Sequence, residues 1–230
     1  MGHYTRGIIA IDPHRIISTT KRVMPEKKKQ PNEPSGKLLQ TFFGLGTGLG
    51  QPIGFGMGSP GVNTTKATIR LLNIVALIEK MGLIIADKEH FTNELARYMK
   101  LETQFGFVIP VINSKRIQKI ERSLDFQPLW AGYAIAETPF RFARGKEEYR
   151  LLVQREGEAK LQYRSFLALS DLPASKLLTE IFVKRRSIEG FFNFDGAISV
   201  KDDTILVTCY DVPKELKLQQ HYQKAFGVRD

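Results

Sequence analysis

A mixed α/β fold, with a sheet flanked by helices, is what the order of elements in this sequence predicts. Three observations carry that expectation. Short apolar runs, "GIIAI" near the start and "GLIIA" from Gly82, read as buried strands, and each ends on a carboxylate, Asp12 and Asp87. Between and after them lie runs with apolar residues at helical spacing. The stretch 129–169 then strings together strand-like segments before a last long helix.

The elements follow in order. "RGIIAID" (6–12) is a strand ending at Asp12. "KRVMPEKKKQPNEPSGK" (21–37) holds six basic residues, two acids and three prolines, the composition of an exposed loop. "KLLQTFFGLGTG" and "QPIGFGMG" form a glycine-rich hairpin, with glycines at backbone-strained positions. Its glycines do not open a helix directly after a strand, and no Gly-Lys-Ser/Thr follows, so it matches neither a dinucleotide fingerprint nor a P-loop. "NTTKATIRLLNIVALIEKMG" (63–82) is a helix capped by Asn63 or Thr64 and stopped by Gly82. The strand to Asp87 comes next, then a helix over 91–100, the strand "FGFVIPVI" and the short basic helix "NSKRIQKIERSL". "LWAGYAIAE", "PFRFAR", "EYRLLVQRE" and "LQYRSFLALS" are strands. "DLPASKLLTEIFVKRRSIEGFFN" is a long helix, capped by Ser170 or Asp171 with Pro173 in its first turn. A hairpin, "GAISVKDDTILVTCYD", and a helix from Pro213 complete the chain, which contains no internal repeat.

Bulk properties narrow the function classes. With 230 residues, 42% of them hydrophobic, the chain can bury one substantial core, or one core with a sub-domain. No apolar stretch reaches the roughly 18–20 residues of a membrane span, so a soluble protein is expected. The N-terminal apolar run is too short for a signal peptide, and position 6 lacks the hydroxyl of a myristoylation signal. The lone Cys209 excludes an internal disulfide and fits a reducing cytoplasm, where it serves as a buried strand residue. A net charge of +10 and a pI near 9.7 point to a polyanionic partner, with nucleic acid foremost. The charge is clustered in the 21–37 loop, with Lys27, Lys28 and Lys29, and again at Lys184, Arg185 and Arg186. Arg116, Lys119 and Arg122 form one helical stripe, for which a solvated basic face is the simpler reading.

The two acids are the sharpest signal. Strands one and four, if adjacent, bring Asp12 and Asp87 to one sheet edge, where two carboxylates repel unless a cation lies between them. Mg²⁺ suits such a pair, since it takes a few carboxylates and keeps waters or phosphate oxygens. A capping aspartate is the plainer reading of Asp87. A third acid comes from the long helix, where Phe182, Arg185 and Glu189 stand at i, i+3 and i+7 on one face.

Phe182-x-x-Arg185-x-x-x-Glu189 resembles the Tyr-(2)-Arg-(3)-Glu-(6)-Lys signature of DDE transposases from bacterial insertion sequences. "IIAIDPH" and "LIIADKEHF" resemble that family's first and second catalytic strands, and the resemblance covers nearly the whole chain. It implies a ribonuclease-H-like mixed sheet flanked by helices. The first part of the core would span 1–128, a β-rich insertion 129–169, and the catalytic helix with the C-terminal hairpin and helix 170–230. It implies Asp12, Asp87 and Glu189 as catalytic and metal-binding residues for two Mg²⁺ (or Mn²⁺) ions. It also implies a DNA phosphate contact by Arg185; apart from the resemblance, the neighbouring Lys184 and Arg186 and the loop's Lys27, Lys28 and Lys29 are candidates to line DNA, the last three equally readable as a solvated loop. Transposon ends and target DNA would be the partners, with self-association on DNA, in a bacterial or archaeal cytoplasm at the nucleoid. His90, His14 and Trp130 are accessory candidates, set against an ordinary polar helix residue, an ordinary strand residue and packing in the β layer.

The departures are specific. Phe182 replaces the signature tyrosine, and Gly196 stands where the lysine falls, with Lys201 as a substitute. The chain begins eleven residues before Asp12, whereas relatives carry an N-terminal end-binding region. The alternatives are therefore a non-catalytic transposase remnant, a repurposed DNA-binding module, or a Mg²⁺-dependent nuclease of the same fold.

Overall fold

The computed structural model describes residues 7–17, 38–47, 51–58, 63–158, 160–186, 188, 198–201 and 204–207. The 21–37 loop, Lys27, Lys28, Lys29, Glu189, Cys209 and the helix from Pro213 lie outside the described residues.

One nine-stranded sheet organises the described residues. Its strands are β1 (Ile8–Ile17), β2 (Leu38–Gly46), β3 (Gln51–Gly58), β4 (Met81–Ala86), β5 (Gln104–Pro110), β6 (Gln127–Trp130), β7 (Tyr133–Phe140), β8 (Tyr149–Glu156) and β9 (Gln162–Leu169). Their spatial order is β3-β2-β1-β4-β5-β9-β8-β7-β6. β1, β2 and β3 form an antiparallel meander, and β4 and β5 add in parallel on the far side of β1. This five-strand arrangement is that of a ribonuclease-H-like core. The strand-rich segment before the last helix extends the same sheet rather than forming a separate layer: β9 pairs antiparallel with β5, Phe107 against Leu169 and Pro110 against Phe166, and β8, β7 and β6 follow outward. A separate two-stranded hairpin, β10 (Ile198–Lys201) and β11 (Thr204–Val207), matches the expected one.

Alternation along the strands sorts the core into two layers. Ile9, Ile11, Ile84, Phe107 and Leu151 face one side, under α1 (Thr64–Val75), α2 (Asn93–Glu102) and α3 (Lys115–Ser123). Ala10, Leu83, Ile85, Val108 and Phe166 face the other, under a helical segment at 174–185. The helix starts are side-chain capped: Asn63 accepts from Lys66 N–H, Thr92 from Leu95 N–H and Ser114 from Ile117 N–H.

Several boundaries differ from the sequence expectation. β1 does not end at Asp12 but runs on to Ile17 beside β2; only its pairing with β4 stops, at Ile11. Past that point β1 has no strand partner on that side among the described residues, where Pro13 is tolerated. α1 ends at Val75, and Gly82 lies inside β4, close against the Gly7 carbonyl, instead of stopping the helix. The strands expected over 129–144 break at Gly132, whose φ of +72° suits glycine. The 174–185 helix carries no side-chain cap and changes pitch along its length. It is α over Ala174–Lys176, π over Leu177–Ile181, with Phe182 N–H reaching the Leu177 carbonyl, and 3₁₀ over Phe182–Arg185.

The glycine-rich hairpin has a packing role at two positions. A Cβ on Gly54 would lie 2.8 Å from Val75 Cγ2, and one on Gly44 would lie 3.1 Å from the same methyl. These glycines let α1 settle on β2 and β3, and neither has the positive φ expected of a strained site. Gly54→Val should therefore cost about 1–3 kcal/mol by overpacking against the stiff Val75. Gly56→Ala, whose Cβ meets nothing within 4 Å among the described residues, should stay within about 0.5 kcal/mol of wild type. Urea unfolding midpoints at constant m-value measure both.

Candidate active site

The parallel register of β1 and β4 builds the site. Ile8 pairs with Leu83 and Ile11 with Ala86, so the next residues on each chain are Asp12 and Asp87. Neighbouring strands lie about 4.8 Å apart, which sets the two carboxylate-bearing backbones side by side. Ala10 faces the layer covered by the 174–185 helix, and alternation carries Asp12 to that same side.

A guanidinium meets them there. The Phe182–Arg185 turn packs against both β1 and β4, and Arg185 Nη1 lies 3.5 Å from Asp12 Oδ1, with both side chains largely buried. Phe182 anchors this turn by setting its ring edge-on to Phe166, at a centroid distance of 4.8 Å. That contact is apolar and uses the whole ring of a phenylalanine. Lys184 and Arg186 on the same segment are exposed.

Asp87 is held by its own turn. Its Oδ1 accepts from Glu89 N–H at 2.9 Å, capping the 3₁₀ turn Lys88–His90, and stands 2.9 Å from His90 Nδ1. The capping role is therefore real, and it coexists with the position beside Asp12. Burial pushes the Asp87 carboxyl up, but the hydrogen bond and charge of His90, the Glu89 N–H and the nearby Arg185 outweigh it. The net result is a carboxyl held below its ordinary range, and so ionised at neutral pH.

The other sequence candidates fall in different places. Among the described residues no group of three His, Cys, Asp or Glu could hold a metal. The described chain includes Ile188, fully buried in the layer under the 174–185 helix. His14 lies on β1 two residues past Asp12, with its backbone opposite Thr41. Trp130 lies on β6 at the far edge of the sheet, five strands from β4. It is stacked flat on Tyr133 at 4.3 Å and is half exposed. Arg116 is engaged with the Arg141 carbonyl and the Phe140 ring, so the α3 stripe is partly tied down. His90, an accessory candidate from the sequence, has a fully enclosed side chain. The Asp-x-x-His spacing from Asp87 to His90 was the available signal.

No protein-family model and no curated protein matches this sequence. Among solved structures, the chain is similar to the piggyBac transposase in a synaptic complex with hairpin DNA, at 15% identity and a TM-score of 0.49. The match covers 81% of this chain and 37% of that one, so the chain spans well under half the length of that transposase. It is also similar to the NurA nuclease from Sulfolobus solfataricus, at 10% identity and a TM-score of 0.34 over 78% of this chain and 71% of that one. Neither likeness adds to what the strand order establishes. No described helix is long and apolar enough to cross a membrane.

The depressed Asp87 carboxyl carries a pH signature. A group whose folded value lies below its ordinary 3.8 contributes stability that is complete above that value and lost as pH falls through the folded one. The unfolding free-energy difference between wild type and Asp87→Asn should thus be larger at about pH 5 than at about pH 3, shrinking below about pH 4. Urea titrations across that range measure it.

Proposed function

We propose that this chain is a DDE-type transposase catalytic domain, cutting and joining DNA strands by metal-dependent phosphoryl transfer. The observation that carries the proposal is the β1–β4 register, which places Asp12 beside Asp87 under the turn that bears Arg185. Two adjacent carboxylates would repel by about 3 kcal/mol at roughly 5 Å and a protein-like effective dielectric. Here Arg185 stands at the position where positive charge is needed.

The donor chemistry fits a hard divalent cation. Asp12 and Asp87 offer carboxylate oxygens, and Asp87 is kept ionised despite its burial. Asp12, Asp87 and, from the chain just past Ile188, Glu189 would hold Mg²⁺ or Mn²⁺. When bound, two such ions activate an attacking water or 3′-hydroxyl and stabilise the leaving oxygen. Arg185 supplies a planar donor fork suited to a DNA phosphate. Lys184 and Arg186, exposed on the same segment, extend the basic surface, and the net charge of +10 supports a DNA partner. Lys27, Lys28 and Lys29 would add to that surface, and DNA ends and target would be gathered by self-association. The proposed division into a core over 1–128, a β-rich segment over 129–169 and a catalytic helix region over 170–230 follows the same reading.

Supercoiled plasmid nicking with Mg²⁺ or Mn²⁺ tests the chemistry. Wild type should nick, and Asp12→Asn and Asp87→Asn should fall to the metal-free background. Joining of pre-cut ends to a target plasmid then identifies a transposase, whereas nicking without joining identifies a nuclease. Salt-sensitive binding with no cleavage in any condition contradicts the proposal and leaves a DNA-binding remnant. Separately, Arg185→Gln should weaken DNA binding equally across sequences. The slope of log K against log [salt] should become shallower by roughly 0.9, the loss of one phosphate contact, as read by fluorescence anisotropy.

A further inference from the structure

Asp87 has an unusual partner. The His90 side chain is fully enclosed, yet only one of its ring nitrogens is engaged: Nδ1 is 2.9 Å from Asp87 Oδ1. Nε2 is buried and meets no hydrogen-bond partner among the described residues. This asymmetry fixes where the ring hydrogen sits. With hydrogen on Nε2 alone, a buried N–H would be orphaned, and the Nδ1 lone pair would face a carboxylate oxygen at 2.9 Å. Any form that carries hydrogen on Nδ1 instead donates to that oxygen.

The consequence falls on Asp87. Oδ1 receives two donors, the Glu89 N–H and His90 Nδ1–H, from directions set by the 3₁₀ turn and by a ring that cannot swing. Among the described residues nothing donates to Oδ2. Two donors on one oxygen fix the carboxylate plane and leave the second oxygen for another partner. A cap alone needs only the backbone donor, so the buried histidine is more than helix capping requires.

We propose that His90 is a positioning residue, which locks Asp87 through Oδ1 by an Nδ1–H donor and so reserves Oδ2 for the divalent cation. The inference rests on the metal-site reading above and extends it to a group that touches neither cation nor DNA. Partners that orient a metal-ligating carboxylate are worth about 10–100-fold in metal affinity.

The test is Mn²⁺ binding to the full chain without DNA, read from the free-Mn²⁺ resonance signal, for wild type, Asp87→Asn, His90→Phe and His90→Asn. His90→Phe keeps ring volume and loses the donor; His90→Asn loses volume and keeps a donor near the Nδ1 position. The proposal expects about a tenfold or greater loss of affinity in His90→Phe. It expects affinity nearer wild type in His90→Asn, although the smaller side chain is the more destabilised of the two in urea. Two-bond ¹H–¹⁵N spectra of wild type should show His90 carrying hydrogen on Nδ1. Equal Mn²⁺ affinity in His90→Phe and wild type, with binding lost in Asp87→Asn, overturns the positioning role and leaves the metal site standing. Hydrogen on Nε2 alone overturns it as well. Mn²⁺ binding absent from wild type, or unchanged in Asp87→Asn, overturns the metal reading and the positioning role together. If His90→Phe does not fold, His90→Asn decides: affinity at least tenfold below wild type contradicts the proposal, and near-wild-type affinity with lowered stability supports it.

Discussion

The parallel pairing of β1 with β4 is the constraint on which the rest of this structure depends. Four register pairs, from Ile8 with Leu83 to Ile11 with Ala86, join two strands that are more than seventy residues apart in the chain. Such pairing needs a crossover, and the β2–β3 hairpin and α1 supply it. α1 reaches the hairpin closely because Gly44 and Gly54 leave room for Val75. The wholly apolar paired segments, Ile8–Ile11 and Leu83–Ala86, are a product of the same arrangement, since both of their faces are covered. The pairing ends one residue before Asp12 and Asp87, so fully buried strand segments lead directly to the charged site.

The site answers that concentration of charge with two differently placed cationic or donor groups. Arg185 approaches Asp12 from the 174–185 helix, whose final turn packs across β1 and β4. His90 approaches Asp87 from the following turn, inside the core. One carboxylate is thus held from across the sheet and the other from along the chain. The change of pitch from α through π to 3₁₀ over Ala174–Arg185 accompanies this contact. π and 3₁₀ stretches within helices often mark functional positions, and here the 3₁₀ turn presents Arg185.

Much of this was legible in the sequence, for physical reasons that also explain the failures. The two buried apolar runs and the acids that follow them stood out because unbroken apolar runs have few other uses. The Asn63 cap was readable because local hydrogen-bond chemistry is written locally. The end of α1 was not readable: the apolar pattern continues through Leu77 and Ile78, yet these are 83% and 51% exposed and packing does not extend to them. Gly82 looked like a helix stop, while its actual neighbour is the Gly7 carbonyl, distant in sequence. The continuation of β1 past Asp12 depends on β2, and the joining of β9 to β5 depends on a partner some sixty residues away; neither leaves a local trace. His90 was visible as a spacing, but its enclosure is a tertiary fact. Glu189, the third acid of the expected set, lies outside the described residues, so for that position the sequence signature alone supports the reading.

Asp12 and Asp87 are proposed to share one cation site. Replacing Mg²⁺ with Fe²⁺ and adding ascorbate and peroxide generates hydroxyl radicals at the bound ion, and mass spectrometry locates the resulting backbone cuts. A shared site gives cuts clustered around both residue 12 and residue 87, suppressed by excess Mg²⁺ and abolished at both places by Asp12→Asn alone. Cuts at only one of the two segments, cuts elsewhere in the chain, or cuts at 87 that survive Asp12→Asn would contradict it.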